Sequence, residues 1–165
     1  MSPTQRRSTS SPNAFFQHVL DWLRAFLQQG LTPDALALGV ALGMVVGVFP
    51  VFGLTTVLAI AFAILLRVNM PLVQTVNYLM TPIHLLMIIP WIRGGDYLFR
   101  HRVENWTLAG ITALVERDPW LALGELGSTT LRAIGAWAVV APFAVGLLFL
   151  LLRPLFHRLA DNPVK

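Results

Sequence analysis

Three apolar runs without a charged residue organise the chain: Ala35 to Leu66, Val68 to Ile92 and Ala133 to Leu152. Each reaches the roughly 20 residues that a helix needs to cross about 30 Å of hydrocarbon. Ahead of them, between Ala14 and Gln29, Phe16, Val19, Leu20, Leu23, Phe26 and Leu27 recur at helical spacing opposite Gln17, Asp21, Arg24 and Gln28. That periodicity predicts an amphipathic helix. With Trp22 in it, the helix is read as lying in the head-group plane, although packing on a partner's helix produces the same pattern. Gly30 ends it, and "LTPD" opens the next helix, with Thr32 as cap, Pro33 in the first turn and Asp34 complementing the dipole.

The first run poses a length problem. As one straight helix its roughly 32 residues would extend about 48 Å, whereas two full crossings would need about 40 residues. At its centre stands "GVFPVFGLTT", Gly47 to Thr56. Pro50 forfeits a helical hydrogen bond, Gly53 permits a sharp change of direction, and Thr55 and Thr56 can satisfy freed backbone groups at the start of a second arm. "FPVFG" therefore predicts the tip of a short or re-entrant helical hairpin; the alternative is one tilted helix kinked at Pro50. Small residues at four-residue spacing favour the hairpin. Ala35, Gly39, Gly43 and Gly47 on one arm and Thr55, Ala59 and Ala63 on the other would let the two backbones meet.

The second run is broken at Pro82, with Pro71 and Pro90 near its ends. Gln74, Asn77, Thr81 and His84 share one face, provided that the helix persists through Pro82. In hydrocarbon such a stripe must face protein or a water-filled cavity. It is either interhelical glue or the lining of a path or head-group site, with His84 its one residue able to change charge near neutral pH. Two successive broken segments resemble the discontinuous helices of secondary transporters. Helix N-termini at Gly53 and Pro82 would favour an anion, and Arg67 and Arg93, which border the runs, could hold a phosphate or carboxylate. Arginines so placed, like Arg132 and Arg153, more commonly anchor helices at the interface.

From Gly94 to Arg132 the chain is more polar and reads as a surface connector. Phe99, Val103, Trp106 and Leu114 suggest an amphipathic helix, and Asp118 and Pro119 of "RDPW" start a second, short one. The last run is a C-terminal transmembrane helix kinked at Pro142. The expected organisation is a disordered polar tail (1–13), the amphipathic interfacial helix (14–30), a membrane domain (31–155) that includes the connector (94–132), and a polar tail (156–165).

Composition agrees with an all-α integral membrane protein: 56% of the 165 residues are hydrophobic, 12% are charged, and the mean hydropathy is +0.67. The net charge of +4 lies at the ends of apolar runs, not on a basic face interleaved with aromatics. It points to lipid head-groups and away from nucleic acid. There are no cysteines, and the histidines lack ligand spacing, so neither a metal nor another cofactor is expected. No catalytic constellation is complete, which argues against an enzyme. Arginines near both ends place both termini in the cytoplasm.

The segments "TPDALALGVALG", "FPVFGLTT", "RVNMP" and "TPIHLLMIIP" followed by Gly94 and Gly95 carry a resemblance. Over Gly30 to Phe99 the chain resembles an uncharacterised bacterial membrane family catalogued as a domain of unknown function ("twenty sixty-two"), some of whose members are fused to glycosyltransferases. Where that pattern has a glutamine before the second threonine of the tip and an Asn-Pro in the second break, this chain has Thr55 and Thr81-Pro82. The resemblance implies a multi-pass protein of the bacterial inner membrane linked to envelope assembly. The expected function is a permease or translocator of an anionic lipid or small solute; the alternative is a non-catalytic scaffold or accessory subunit for envelope glycan or lipid enzymes. Expected partners are membrane lipids and either another membrane protein or a second copy of the chain.

Overall fold

A computed structural model describes Gln17, residues 21–23, 25–26, 30–100 and 116–161. The polar tail 1–13 and the predicted helix carrying Val103, Trp106 and Leu114 lie outside these residues. Five helices lie wholly within the described residues: α1 (Pro33–Gly47), α2 (Leu54–Leu65), α3 (Met70–Leu79), α4 (Thr81–Leu98) and α5 (Pro119–Asp161). Among the described residues there are no strands, as expected of the all-α class.

Local signals start most of these helices. Thr32 Oγ1 accepts from the Ala35 amide at 3.2 Å ahead of Pro33, and Asn69 Oδ1 accepts from the Leu72 amide at 2.9 Å ahead of Pro71. Asp118 Oδ1 accepts from the amides of Trp120 and Leu121, both at 3.0 Å. That cap begins α5, which runs 43 residues to Asp161 through Pro142 and Pro154. The expected short helix at "RDPW" is thus the first turn of the longest one. The surface connector contracts as well, because α4 continues to Leu98. The polar tail expected from 156 is helical to Asp161, with Phe156 in the core at 1% exposure.

The break at Pro50 is a reversal. α1 and α2 lie side by side across a turn centred on Pro50, where Gly53 adopts φ +87°, a left-handed conformation that glycine reaches without steric cost. Leu42 and Val46 of α1 pack with Ala59 and Ala63 of α2. The arms extend only about 22 Å and 18 Å at 1.5 Å per residue, short of the bilayer core.

The glycine stripe of α1, however, meets a different partner from the one the sequence suggested: α3. A methyl group on Gly39 would sit 2.7 Å from Leu72 Cδ2, one on Gly43 2.7 Å from both the Val73 carbonyl oxygen and Val76 Cβ, and one on Gly47 2.6 Å from Met80 Cβ. The contacts climb both helices together, so α3 runs parallel to α1. Two small faces at right register, one alanine and one glycine, let α1 receive a neighbour on each side. With α5 on its remaining side, α1 is buried all round: Leu36, Ala37 and Ala41 are 0% exposed. A helix apolar on every face is suited to that place.

The outer surface is apolar. Val57, Ile64, Leu86, Ile89, Phe143, Leu147 and Leu150, on α2, α4 and α5, are each between 59% and 75% exposed. The stretch from Leu123 to Asp161 is long and apolar enough to cross a membrane, and only 17% of its most apolar window is buried. A core helix of a soluble protein would be mostly buried; this one displays its hydrophobic side chains. α3 and α4 form a second apolar unit, bent by 70° at Met80. In the described part of the N-terminal helix, Leu23 and Phe26 pack with Leu36, Ala37, Leu72 and Phe156.

Replacing Gly43 by alanine should lower stability by about 1–3 kcal/mol, because a backbone carbonyl and a β-carbon would have to retreat, whereas Leu42→Ile should cost less than about 1.5 kcal/mol. Thermal unfolding of the two variants in detergent checks the contrast; equal values would remove the packing account.

Candidate functional site

A helix that stops inside an apolar environment leaves carbonyls without helical partners. At the end of α1 they are taken up by side chains from two other helices. Trp137 Nε1 of α5 donates to the Val45 oxygen at 3.0 Å, and Trp91 Nε1 of α4 donates to the Val48 oxygen at 2.7 Å. His84 Nδ1 lies 3.0 Å from the Gly47 oxygen. Since a carbonyl only accepts, Nδ1 carries a proton and donates. The Val46 oxygen takes the backbone amides of Val48 and Phe49. Phe49 stacks edge-on against Trp137 at 4.9 Å between ring centroids.

Beside this knot lies a cavity of about 160 Å³ lined by Gly47, Phe52, Thr55, Thr56, Asn77, Tyr78, Thr81 and His84 among others. Four helix ends surround it: the C-termini of α1 and α3 and the N-termini of α2 and α4. Asn77 and His84 are each 3% exposed. Asn77 Oδ1, His84 Nε2 and Gln74 Oε1 are buried without a hydrogen-bond partner among the described residues. Gln74 stands behind Thr56 and donates to its hydroxyl oxygen at 3.3 Å. The Phe52 ring meets His84 edge-on at 5.4 Å and is 70% exposed on its other side.

Asn77, Thr81 and His84 thus converge, with Gln74 one layer behind, but not because they share the face of a continuous helix. The helix breaks at Met80, and the 70° bend folds His84 back over Asn77. Thr81 secures the break by donating to the Tyr78 oxygen at 2.7 Å. Neither threonine of the tip caps α2: Gly53 provides no side-chain bond, Thr56 serves Gln74, and Thr55 lines the cavity.

Arg67 and Arg93 are not at this site. Arg67, at φ +54°, closes the turn between α2 and α3 at the far end of the hairpin, and Arg93 is exposed near the other end of α4. Arg132 and Arg153, expected as head-group anchors, hold carboxylates. Arg132 Nε meets Asp96 Oδ1 at 2.9 Å, with Asp96 1% exposed, and its other nitrogens reach Ser128 and Thr129. Gly95 makes room: a methyl there would sit 2.5 Å from the Arg132 carbonyl carbon. At the other end, Asp34 Oδ1 accepts from Arg153 Nε at 2.9 Å and meets His157 Nε2 at 2.8 Å. Among the described residues no arginine or lysine lines the cavity, and two helix C-termini oppose the two N-termini there.

The tryptophan donors were not anticipated, although a lone indole N–H within an apolar run is a signal, because a buried Trp needs an acceptor. Asp96 was legible in the same way, as a carboxylate just beyond an apolar run, but its partner Arg132, 36 positions on, was not.

The family described as "Uncharacterized protein conserved in bacteria (DUF2062)" matches residues 16–158, and the chain belongs to it. No curated protein and no solved structure matches the chain. The matched range holds both ion pairs and the cavity.

The Asp34 carboxyl is held below its ordinary pKa by its hydrogen bond to His157 and, next, by that to Arg153. A lowered folded-state pKa contributes stability that is present above the unfolded value and is lost as pH falls through the folded one. Asp34→Asn should therefore flatten the acid limb of the thermal stability profile while leaving the neutral region little changed. Superimposable acid limbs for variant and wild type would exclude this clasp as a contributor.

Proposed function

We propose that the chain is a multi-pass protein of the bacterial inner membrane whose broken helices build a binding site, part-way across the bilayer, for a small polar solute or lipid head-group that it passes across the membrane. The observation that carries this reading is the polar cavity at the hairpin tip, with two of its wall residues buried and each retaining an unpartnered polar atom. Structural glue pairs its polar groups with one another; here Asn77 Oδ1 and His84 Nε2 stay buried and unpartnered on two residues that line the cavity. An apolar exterior and a polar interior break are what a membrane-embedded path requires.

The two ion pairs support one placement in the bilayer. Between Arg132–Asp96 and Arg153–Asp34, α5 carries about 20 uncharged residues, roughly 30 Å, which equals the hydrocarbon thickness. Trp137 is level with the hairpin tip, so the tip ends about 24 Å from the Arg153 boundary and about 7 Å short of the other. The hairpin is re-entrant in this placement. Single cysteines at residues 35, 52 and 66 of this cysteine-free chain test it: positions 35 and 66 should react with an impermeant thiol reagent from one face only. Labelling of 35 and 66 from opposite faces would discard the arrangement.

Transport and scaffolding separate at the cavity wall. Under the binding reading, Asn77→Leu and His84→Phe leave abundant folded protein but abolish enrichment of a co-purified lipid or flux of a solute. Under the scaffold reading, the same changes lower stability by about 1 kcal/mol per lost interhelical bond and leave lipid profiles identical. Lipid co-purification of wild type and Asn77→Leu from native membranes, alongside thermal unfolding, distinguishes them.

A further inference from the structure

The cavity's hydrogen-bonding inventory restricts what it can hold. Because the Gly47 carbonyl takes the Nδ1 proton of His84, the neutral ring offers Nε2 as a bare acceptor. Asn77 Oδ1 is a second acceptor without a partner, and Gln74 Oε1 is a third behind the wall. Donors are present too: the hydroxyls of Thr55 and Thr56, and the first-turn amides of α2, which Gly53 leaves without a side-chain cap. A ligand for such a wall must donate and accept at neighbouring points.

Charge removes most alternatives. Among the described residues no arginine, lysine, aspartate or glutamate lines the cavity. An anion would find no counter-charge, and an ammonium ion would find acceptors but no carboxylate, so either would be desolvated without compensation. A hydroxyl group both donates and accepts and carries no charge. The exposed face of Phe52, at the cavity rim, offers an apolar surface for the C–H groups of a hydroxylated carbon chain. About 160 Å³ accommodates a compact polyol of a few carbons or one sugar-sized ring, not a long chain.

Building on the proposed binding role, we infer that this cavity recognises a neutral polyhydroxyl group, with His84 Nε2 and Asn77 Oδ1 accepting from its hydroxyls and the Thr55–Thr56 turn donating to them. The group could arrive as a free polyol or as the neutral head of a glycolipid, and the chemistry at the wall is the same.

The test observes His84 directly. Full-length protein with ¹⁵N-labelled histidine is placed in phosphatidylcholine nanodiscs and titrated separately with glycerol, ethylammonium and inorganic phosphate at matched concentrations. A further sample contains monogalactosyl diacylglycerol in the discs. The expected result is an upfield move of the His84 Nε2 resonance, the signature of a new bond accepted there, with glycerol, with the galactolipid or with both, and none with the ions. Response to glycerol alone identifies a free solute; response to the galactolipid alone identifies a lipid head. Asn77→Leu should remove the response while the Nδ1 resonance, held by Gly47, stays in place and reports an intact fold. If phosphate or ethylammonium moves Nε2 and the polyols do not, the polyol assignment is wrong while the binding role stands. If no probe moves it, the cavity holds only water and both fall.

Discussion

The structure depends on ending a helix inside an apolar medium. α1 stops at Gly47 among buried groups, and a terminal carbonyl buried there without a partner would carry an uncompensated desolvation cost. Trp137, His84 and Trp91 supply the missing donors from α5 and α4. These bonds hold the hairpin tip, fix where α5 crosses α1, and draw α4 over the tip. Removing any one donor would leave a buried acceptor orphaned, which is costlier than the bond itself is worth. The fold and the site therefore share one cause, because the donor on Gly47 is also a wall of the cavity.

Close approach of backbones makes the arrangement reachable. Gly39, Gly43 and Gly47 admit α3 to α1 so closely that no β-carbon would fit, and Ala59 and Ala63 admit α2 on another side. In lipid, where apolar burial gives little advantage over contact with acyl chains, such packing supplies much of the association. Gly95 repeats the device where α4 meets the backbone of α5 at Arg132, and there it serves an ion pair. The two ion pairs are unlike in kind. Asp96 is sealed and its carboxylate is paired within the protein, so losing Arg132 would strand a buried charge, whereas Asp34 is 45% exposed and solvent shares in its clasp.

Burial of α1 on all sides leaves polar groups only at its end, which explains why the candidate site sits where four helix termini meet. Opposed dipole ends meet there, Arg67 and Arg93 lie elsewhere, and Arg132 and Arg153 are paired with carboxylates. A cavity without net charge, bordered by amide, imidazole and hydroxyl groups, is the consequence. Its open acceptors are a property of the tertiary arrangement: Gln74 uses its amide nitrogen on Thr56 and His84 its protonated nitrogen on Gly47, and what remains is acceptor-rich.

Local chemistry determined a good deal by itself. Thr32-Pro33, Asn69 with Pro71, and Asp118-Pro119 mark helix starts because cap and proline effects act within one turn. The reversal at Pro50 and Gly53 was legible for the same reason, as was the apolar class, which needs only composition. The polar set Gln74, Asn77, Thr81 and His84 was recognisable too, but its convergence was ascribed to a helix face that the bend at Met80 destroys. Tertiary structure decided which neighbour the glycine stripe receives, since a smooth face fits α2 or α3 equally well and only the packing of all three selects. It also decided the partners of Arg132 and Arg153 and the donors for α1's carbonyls. Those pairings join residues 36 to 119 positions apart, and no periodicity in the chain encodes contacts at that separation.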